Sequence, residues 1–155
     1  MTTYTAIDGV ITAIVAALDT ALDIPVYDGA TNLNNLPSTT SYVIIGGSEP
    51  DTTVTDDEMA EMEQQWHGLG AKTRLEDIMI HCVAVGRATD SSASTARGMA
   101  LAIIESVAAN LPQQPNDVSH NAILDQVKRL ERGYAQSGAV VRAYFTISVK
   151  ARLAP

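Results

Sequence analysis

One stretch constrains the fold of this 155-residue chain more than any other. Between residues 140 and 153 the apolar and polar side chains separate cleanly onto two faces, alternating from Val141 onward. Val141, Ala143, Phe145, Ile147, Val149, Ala151 and Leu153 share one side; Arg142, Tyr144, Thr146, Ser148, Lys150 and Arg152 share the other. Successive side chains of a strand point to opposite faces. A period of two held this long therefore predicts a strand with one face on a core and the other toward water or a partner. Such a strand cannot bury its apolar face alone, so the rest of the chain must supply sheet neighbours and a covering layer.

The neighbours are legible upstream. Residues 73–86 read as a second long strand, with Ile78, Ile80, Cys82 and Ala84 on one face and Met79, His81, Val83 and Val85 on the other. Both faces are largely apolar, which predicts a central position in the sheet. Residues 24–27 read as a short strand ended by the turn dipeptide Asp28-Gly29, and residues 42–45 as a buried strand stopped at Gly46-Gly47. Residues 122–132 are β-rich, yet Ile123, Val127 and Leu130 have helical spacing. We read the segment as a strand that forms a hairpin with 140–153 across residues 133–138.

Two helices complete the set. Ile7, Val10, Ile11, Ile14, Val15 and Leu18 form one apolar stripe behind a Thr5–Asp8 capping box, and Pro25 limits the helix downstream. Met99, Ile103 and Val107 form the second stripe, flanked by Ala96, Ala100, Ile104 and Leu111, with Asp90, Ser91 or Ser92 as cap. Gly98 inside this helix suggests close approach to the sheet. The predicted class is α+β over residues 1–155: a single two-layer domain with a mixed or antiparallel sheet of about five strands and two helices on one face, in the order α-β-β-β-α-β-β.

Composition narrows the rest. Apolar residues make up 46% of the chain with only one Phe and one Trp, so aliphatic side chains must fill the core. No apolar run reaches the ~20 residues that span a membrane. No Lys or Arg precedes Lys72, so a secretory leader with a basic start is not expected. The net charge of −8 opposes a phosphate-gripping groove. Its distribution says more: residues 1–71 carry eleven acidic and no basic side chains, whereas residues 72–155 carry seven acidic and ten basic ones. A protein that packs its acidic side against the basic side of the next copy would use such polarity for steering and register. Residues 48–63 concentrate it, with Glu49, Asp51, Asp56, Asp57, Glu58, Glu61 and Glu63, and read as an exposed, mobile excursion closed by Trp66 and Gly68-Leu69-Gly70.

Catalytic chemistry finds no foothold. His67, His81 and His120 lack zinc-motif spacing, and adjacent His81 and Cys82 point to opposite faces of a strand. The carboxylates Asp51, Asp56, Asp57 and Glu58 lack the alternation and mid-loop glycine of an EF-hand calcium loop. Gly46-Gly47 is followed by no phosphate-loop Lys-Ser/Thr pattern. No catalytic, cofactor-binding or metal-binding residue is assigned, and no cofactor is expected.

In order and spacing the chain resembles the tail terminator proteins of long-tailed bacteriophages, particularly those infecting actinobacteria. The resemblance rests on the N-terminal amphipathic helix, then Ile24-Pro25-Val26-Tyr27-Asp28-Gly29, then Tyr42-Val43-Ile44-Ile45-Gly46. Trp66-His67-Gly68-Leu69-Gly70-Ala71-Lys72-Thr73-Arg74, the strand at 78–86, the helix with Ala96-Arg97-Gly98, and Phe145-Thr146-Ile147-Ser148-Val149-Lys150-Ala151-Arg152 follow. It implies a structural virion protein and not an enzyme: a hexameric ring at the head-proximal end of the tail that caps the tube, stops its elongation and docks the head-completion complex. Its implied partners are its own copies, the tail tube protein and the head-completion or stopper protein. DNA would only pass through the lumen, and no membrane is involved. Another neck component, an adaptor or stopper, is the alternative, with a small-ligand module or enzyme behind it. The interface is expected to draw on Asp56, Asp57, Glu58, Met59, Met62 and Trp66, and on Arg142, Lys150 and Arg152.

Overall fold

The computed structural model describes residues 5–29, 40–47, 59–66, 74–90, 92–112, 122–135 and 138–153. They form α1 (Ile7–Ala21), β1 (Val26–Asp28), β2 (Tyr42–Ile45), β3 (Ala60–Trp66), β4 (Arg74–Arg87), α2 (Ala93–Asn110), β5 (Ile123–Ala135) and β6 (Gly138–Leu153). The α+β class and the two-layer arrangement hold, with six strands in place of about five. The added strand is β3, which pairs antiparallel to β4 from Ala60↔Ile80 to Trp66↔Arg74; its residues 60–63 were expected in a mobile excursion. Residues 48–58 of that excursion lie outside the described residues.

Strand order is β1-β2-β4-β6-β5, with β3 also on β4. The spine is β4 and β6, paired antiparallel without interruption from Arg74↔Leu153 to Arg87↔Val140. On the other side of β4, β2 takes residues 82–85 and β3 takes residues 74–80, so two short strands share one long edge. β1 joins β2 in parallel, which makes the sheet mixed.

Both helices cover one face. Val10, Ile11, Ile14 and Leu18 of α1 and Ala96, Ala100, Ile103, Ile104 and Val107 of α2 are buried there with Ile78, Ile80, Cys82, Phe145, Ile147 and Val149. The contact stripe of α2 is centred on Ala96 and Ala100, and Met99 is only half-buried. The cause lies on the strand below. A Cβ added to Gly86 would stand 2.2 Å from Ala96 O and 2.6 Å from Ala100 N, so the helix backbone rests directly on β4. Gly98, expected at a close approach, has nothing within 4 Å of an added Cβ; the glycine that admits the helix belongs to the strand.

The N-terminus of α1 also departs from expectation. Ala6, not Thr5, is the N-cap, and no capping box forms. The Thr5 hydroxyl (2.8 Å) and the Ala6 N–H (2.9 Å) both donate to Glu76 Oε1, and Gln64 Nε2 donates to Glu76 Oε2. Glu76 is fully buried. A carboxylate reaching in from β4 thus meets the unpaired N–H end of the helix and its positive dipole. At α2 the cap is Ser92, whose hydroxyl accepts from Thr95 N at 3.2 Å.

The opposite face of the sheet is not simply wet. Tyr42, Ile44, Val83, Val85 and Val140 form a second buried cluster, with Tyr27 and Tyr144 packed on it. Thr146, on the row expected to face water or a partner, is fully buried within the chain and donates to Asp125 Oδ2 at 3.3 Å. Along the polar row of β6, Arg142, Tyr144 and Ser148 are half-buried and Lys150 is exposed.

Candidate subunit interface

The topology turns a division along the chain into a division across the sheet. β1, β2 and β3 come from the stretch without Lys or Arg and line one side of β4; β6 and β5 come from the basic stretch and line the other. β3 carries Glu61 and Glu63 with Met62 between them, all exposed. Glu61 and Glu63 share a face with Met79 and Asp77, and with Ser148 they line a groove of about 310 Å³. Met62 is on the helix face, beside Ile78, and its Sδ lies 3.2 Å from the Thr5 Oγ1.

Each rung here crosses three strands. Glu61 stands beside Met79 and Ser148, Met62 beside Ile78 and Val149, and Glu63 beside Asp77 and Lys150. The strip β3-β4-β6 therefore has carboxylates at one margin and the exposed Lys150 at the other. Of the residues expected at an interface, Met59 (50% exposed) and Met62 (48% exposed) stand at the β3 margin, and Lys150 at the β6 margin. Trp66 and Arg152 hold the register positions beside Arg74 and Leu75. Arg142 is elsewhere: it pairs with Val85 and Glu131, eight residues or about 27 Å along β6 from Lys150. Asp56, Asp57 and Glu58 lie outside the described residues.

β5 forms the far edge, and its exposed Ile123, Val127 and Leu130 went unremarked as surface. Register shifts between Leu124 and Gln126 and between Val127 and Arg129 each add a residue to β5. Leu124, Val127 and Leu130 thereby stay on the helix face at a spacing of three, which is why the segment mimics a helix in sequence. On the other face Arg129 lies 4.1 Å above the Tyr144 ring and 3.3 Å from Glu131, whose Oε2 accepts the Tyr144 hydroxyl at 3.0 Å. Burial pushes the Tyr144 phenol above its usual pKa. Bulges and a satisfied charge cluster make this a poor template for another strand. Glu76 and Gln64, which tie β3 to α1, carried no sequence signal, because their partners are distant in the chain.

Among the described residues little reactive chemistry is on offer. Cys82 is buried in the helix-side core, where desolvation pushes its thiol up to about 12, leaving almost no thiolate near neutrality. His81 lies on the other face, in register with Thr146. Among the described residues no three His, Cys, Asp or Glu side chains converge as metal ligands, and no helix is long and apolar enough to cross a membrane. No protein-family model matches the chain, and no curated protein matches it.

Proposed function

We propose that this chain is the repeating subunit of a structural ring, a tail terminator of a long-tailed bacteriophage. In this reading it caps the tail tube, halts elongation and offers the docking surface for the head-completion complex. One observation carries the proposal: the acidic and basic halves of the chain form opposite sides of one sheet. A contact that joins unlike surfaces of identical subunits is heterologous, and such contacts close into rings when the rotation between copies permits. An acidic ring also suits a channel for DNA, because it repels a polyanion in transit. The buried thiol and the sparse reactive chemistry of the described residues fit a part that works by shape and assembly.

The test is electron microscopy of the purified protein, alone and added to growing tail tubes. Closed rings with a central lumen, and tubes of fixed length ending in such a ring, are the expected result. A protein that stays monomeric at every concentration and leaves tube length unchanged would refute the proposal.

A further inference from the structure

We propose that β3 of one copy pairs, in parallel, with residues 149–153 of β6 in the next copy, so that one sheet crosses the subunit boundary. This deepens the ring reading and rests on it. Among the described residues β3 has one strand partner, β4, and so does β6 beyond Ser148. Among the described residues each therefore has a row of backbone N–H and C=O groups with no strand beside it, which a strand of another copy can complete. β3 and β6 are both antiparallel to β4, so they run in the same direction. A neighbouring copy in the same orientation brings its β3 alongside β6 as a parallel pair.

The two edges match in level and in face. Met62 and Val149 share a rung, as do Glu63 and Lys150, so a second copy set beside the first with no displacement along the strands brings these residues level with one another. A contact without such displacement is compatible with closure, whereas a progressive one winds into an open helix. Sheet faces are conserved across a strand pair. The helix side then brings Ala60 and Met62 toward Val149 and Ala151, apolar against apolar, and the other side brings Glu61 and Glu63 toward Lys150. Self-pairing is opposed at both margins, because β3 on β3 sets carboxylate against carboxylate and the β6 end on itself sets Lys150 against Lys150. Each edge is thus guarded against its own kind and open to the other.

The test is a charge exchange read by native mass spectrometry and analytical ultracentrifugation. Glu61→Lys with Glu63→Lys in one variant, and Lys150→Glu in another, should each weaken association about tenfold to a hundredfold. Mixed together they should recover assembly, since each reversed edge now meets its complement in an alternating ring. These positions are exposed, and unchanged urea midpoints would confirm that the variants fold. A second measurement is independent of charge. Within one copy, residues 63 and 150 are separated by β4, about 10 Å apart and too far for a disulfide; across the proposed boundary they are adjacent. Glu63→Cys with Lys150→Cys should therefore give a ladder of covalent oligomers on oxidation, with Cys82 buried and out of reach. Wild-type rings that tolerate both reversals and give no ladder would overturn the edge pairing and leave the ring intact. A wild-type protein that never leaves the monomer would overturn both.

Discussion

Replacing Gly86 with alanine sets local preference against packing. In a strand interior alanine is the better residue, and relief of unfolded-state entropy alone favours it by roughly 0.5–1 kcal/mol. The structure predicts the opposite outcome. The added Cβ would sit 2.2 Å from Ala96 O and 2.6 Å from Ala100 N, and both are helix backbone that cannot rotate aside. Helix α2 must withdraw by roughly 1 Å to restore ordinary contact, a gap that forfeits a quarter to a half of the dispersion across the interface. That interface buries Ile103, Ile104 and Val107, each worth about 1.5–3 kcal/mol. The net cost is about 3 kcal/mol, in the range of overpacked cores, and corresponds to a melting temperature lower by roughly 5–10 °C. Gly98→Ala is the control, since an added Cβ there meets nothing within 4 Å; it should stabilise by about 0.5–1 kcal/mol. Urea unfolding of both variants, with unchanged m-values, reads the difference directly. If Gly86→Ala is neutral or stabilising, the direct seating of α2 on β4 is wrong.

Burial sets the expected outcome at four other positions. Phe145→Ala should cost about 3–5 kcal/mol in denaturant melts, and Thr146→Ala should cost about 1–3 because it removes a buried hydroxyl bonded to Asp125; a negligible loss at Thr146 would return that face to solvent. Glu76→Ala should cost about 2–4 kcal/mol, since Thr5, Ala6 and Gln64 lose one acceptor together, and hydrogen exchange should quicken in both β3 and the first turn of α1; change confined to β4 would contradict the link. Cys82 should resist thiol reagents near neutrality until the protein unfolds. Its folded pKa of about 12 lies above the ordinary 9.0, so the protonated thiol favours the fold: stability is full below pH 9 and falls by up to about 1.4 kcal/mol per pH unit between 9 and 12.

The elements that alternate or repeat cleanly were legible because burial on one face writes a period into the sequence. β6 and α1 are of this kind, β4 was legible as a run apolar on both faces, and β5 was read as a strand from its β-rich composition despite its helical spacing. β3 was hidden because its sequence, Ala60-Glu61-Met62-Glu63-Gln64-Gln65-Trp66, has charges and amides where a strand usually shows branched side chains. Its place is set by the ladder with β4 and by Glu76, neither of which a local window can reveal. The period of two puts the polar row of β6 toward water or a partner; what covers it within the same chain, the second cluster around Tyr42 and Val83, comes from segments far away in sequence. For the candidate interface, the charge division was plain in the sequence. Lys150 and Met62 proved to stand at two margins of one strip, whereas Arg142 does not belong with them, because distance along a strand separates residues that share a face.

The interior position of β6 has a consequence for how the chain comes off the ribosome. It is the last described strand, yet it lies between β4 and β5 and holds both. Until residues 138–153 have emerged, β5 has no strand to join and β4 lacks its longest ladder. Among the described elements, partial folding of the nascent chain is therefore confined to helices and to the β1–β2, β2–β4 and β3–β4 pairs, and the sheet closes through contacts made late. Such non-local closure slows folding and leaves an apolar strand uncovered for longer. A stalled or clipped chain lacking this segment would leave that apolar surface open to chaperones and proteases, which in the proposed ring would keep incomplete subunits from being incorporated.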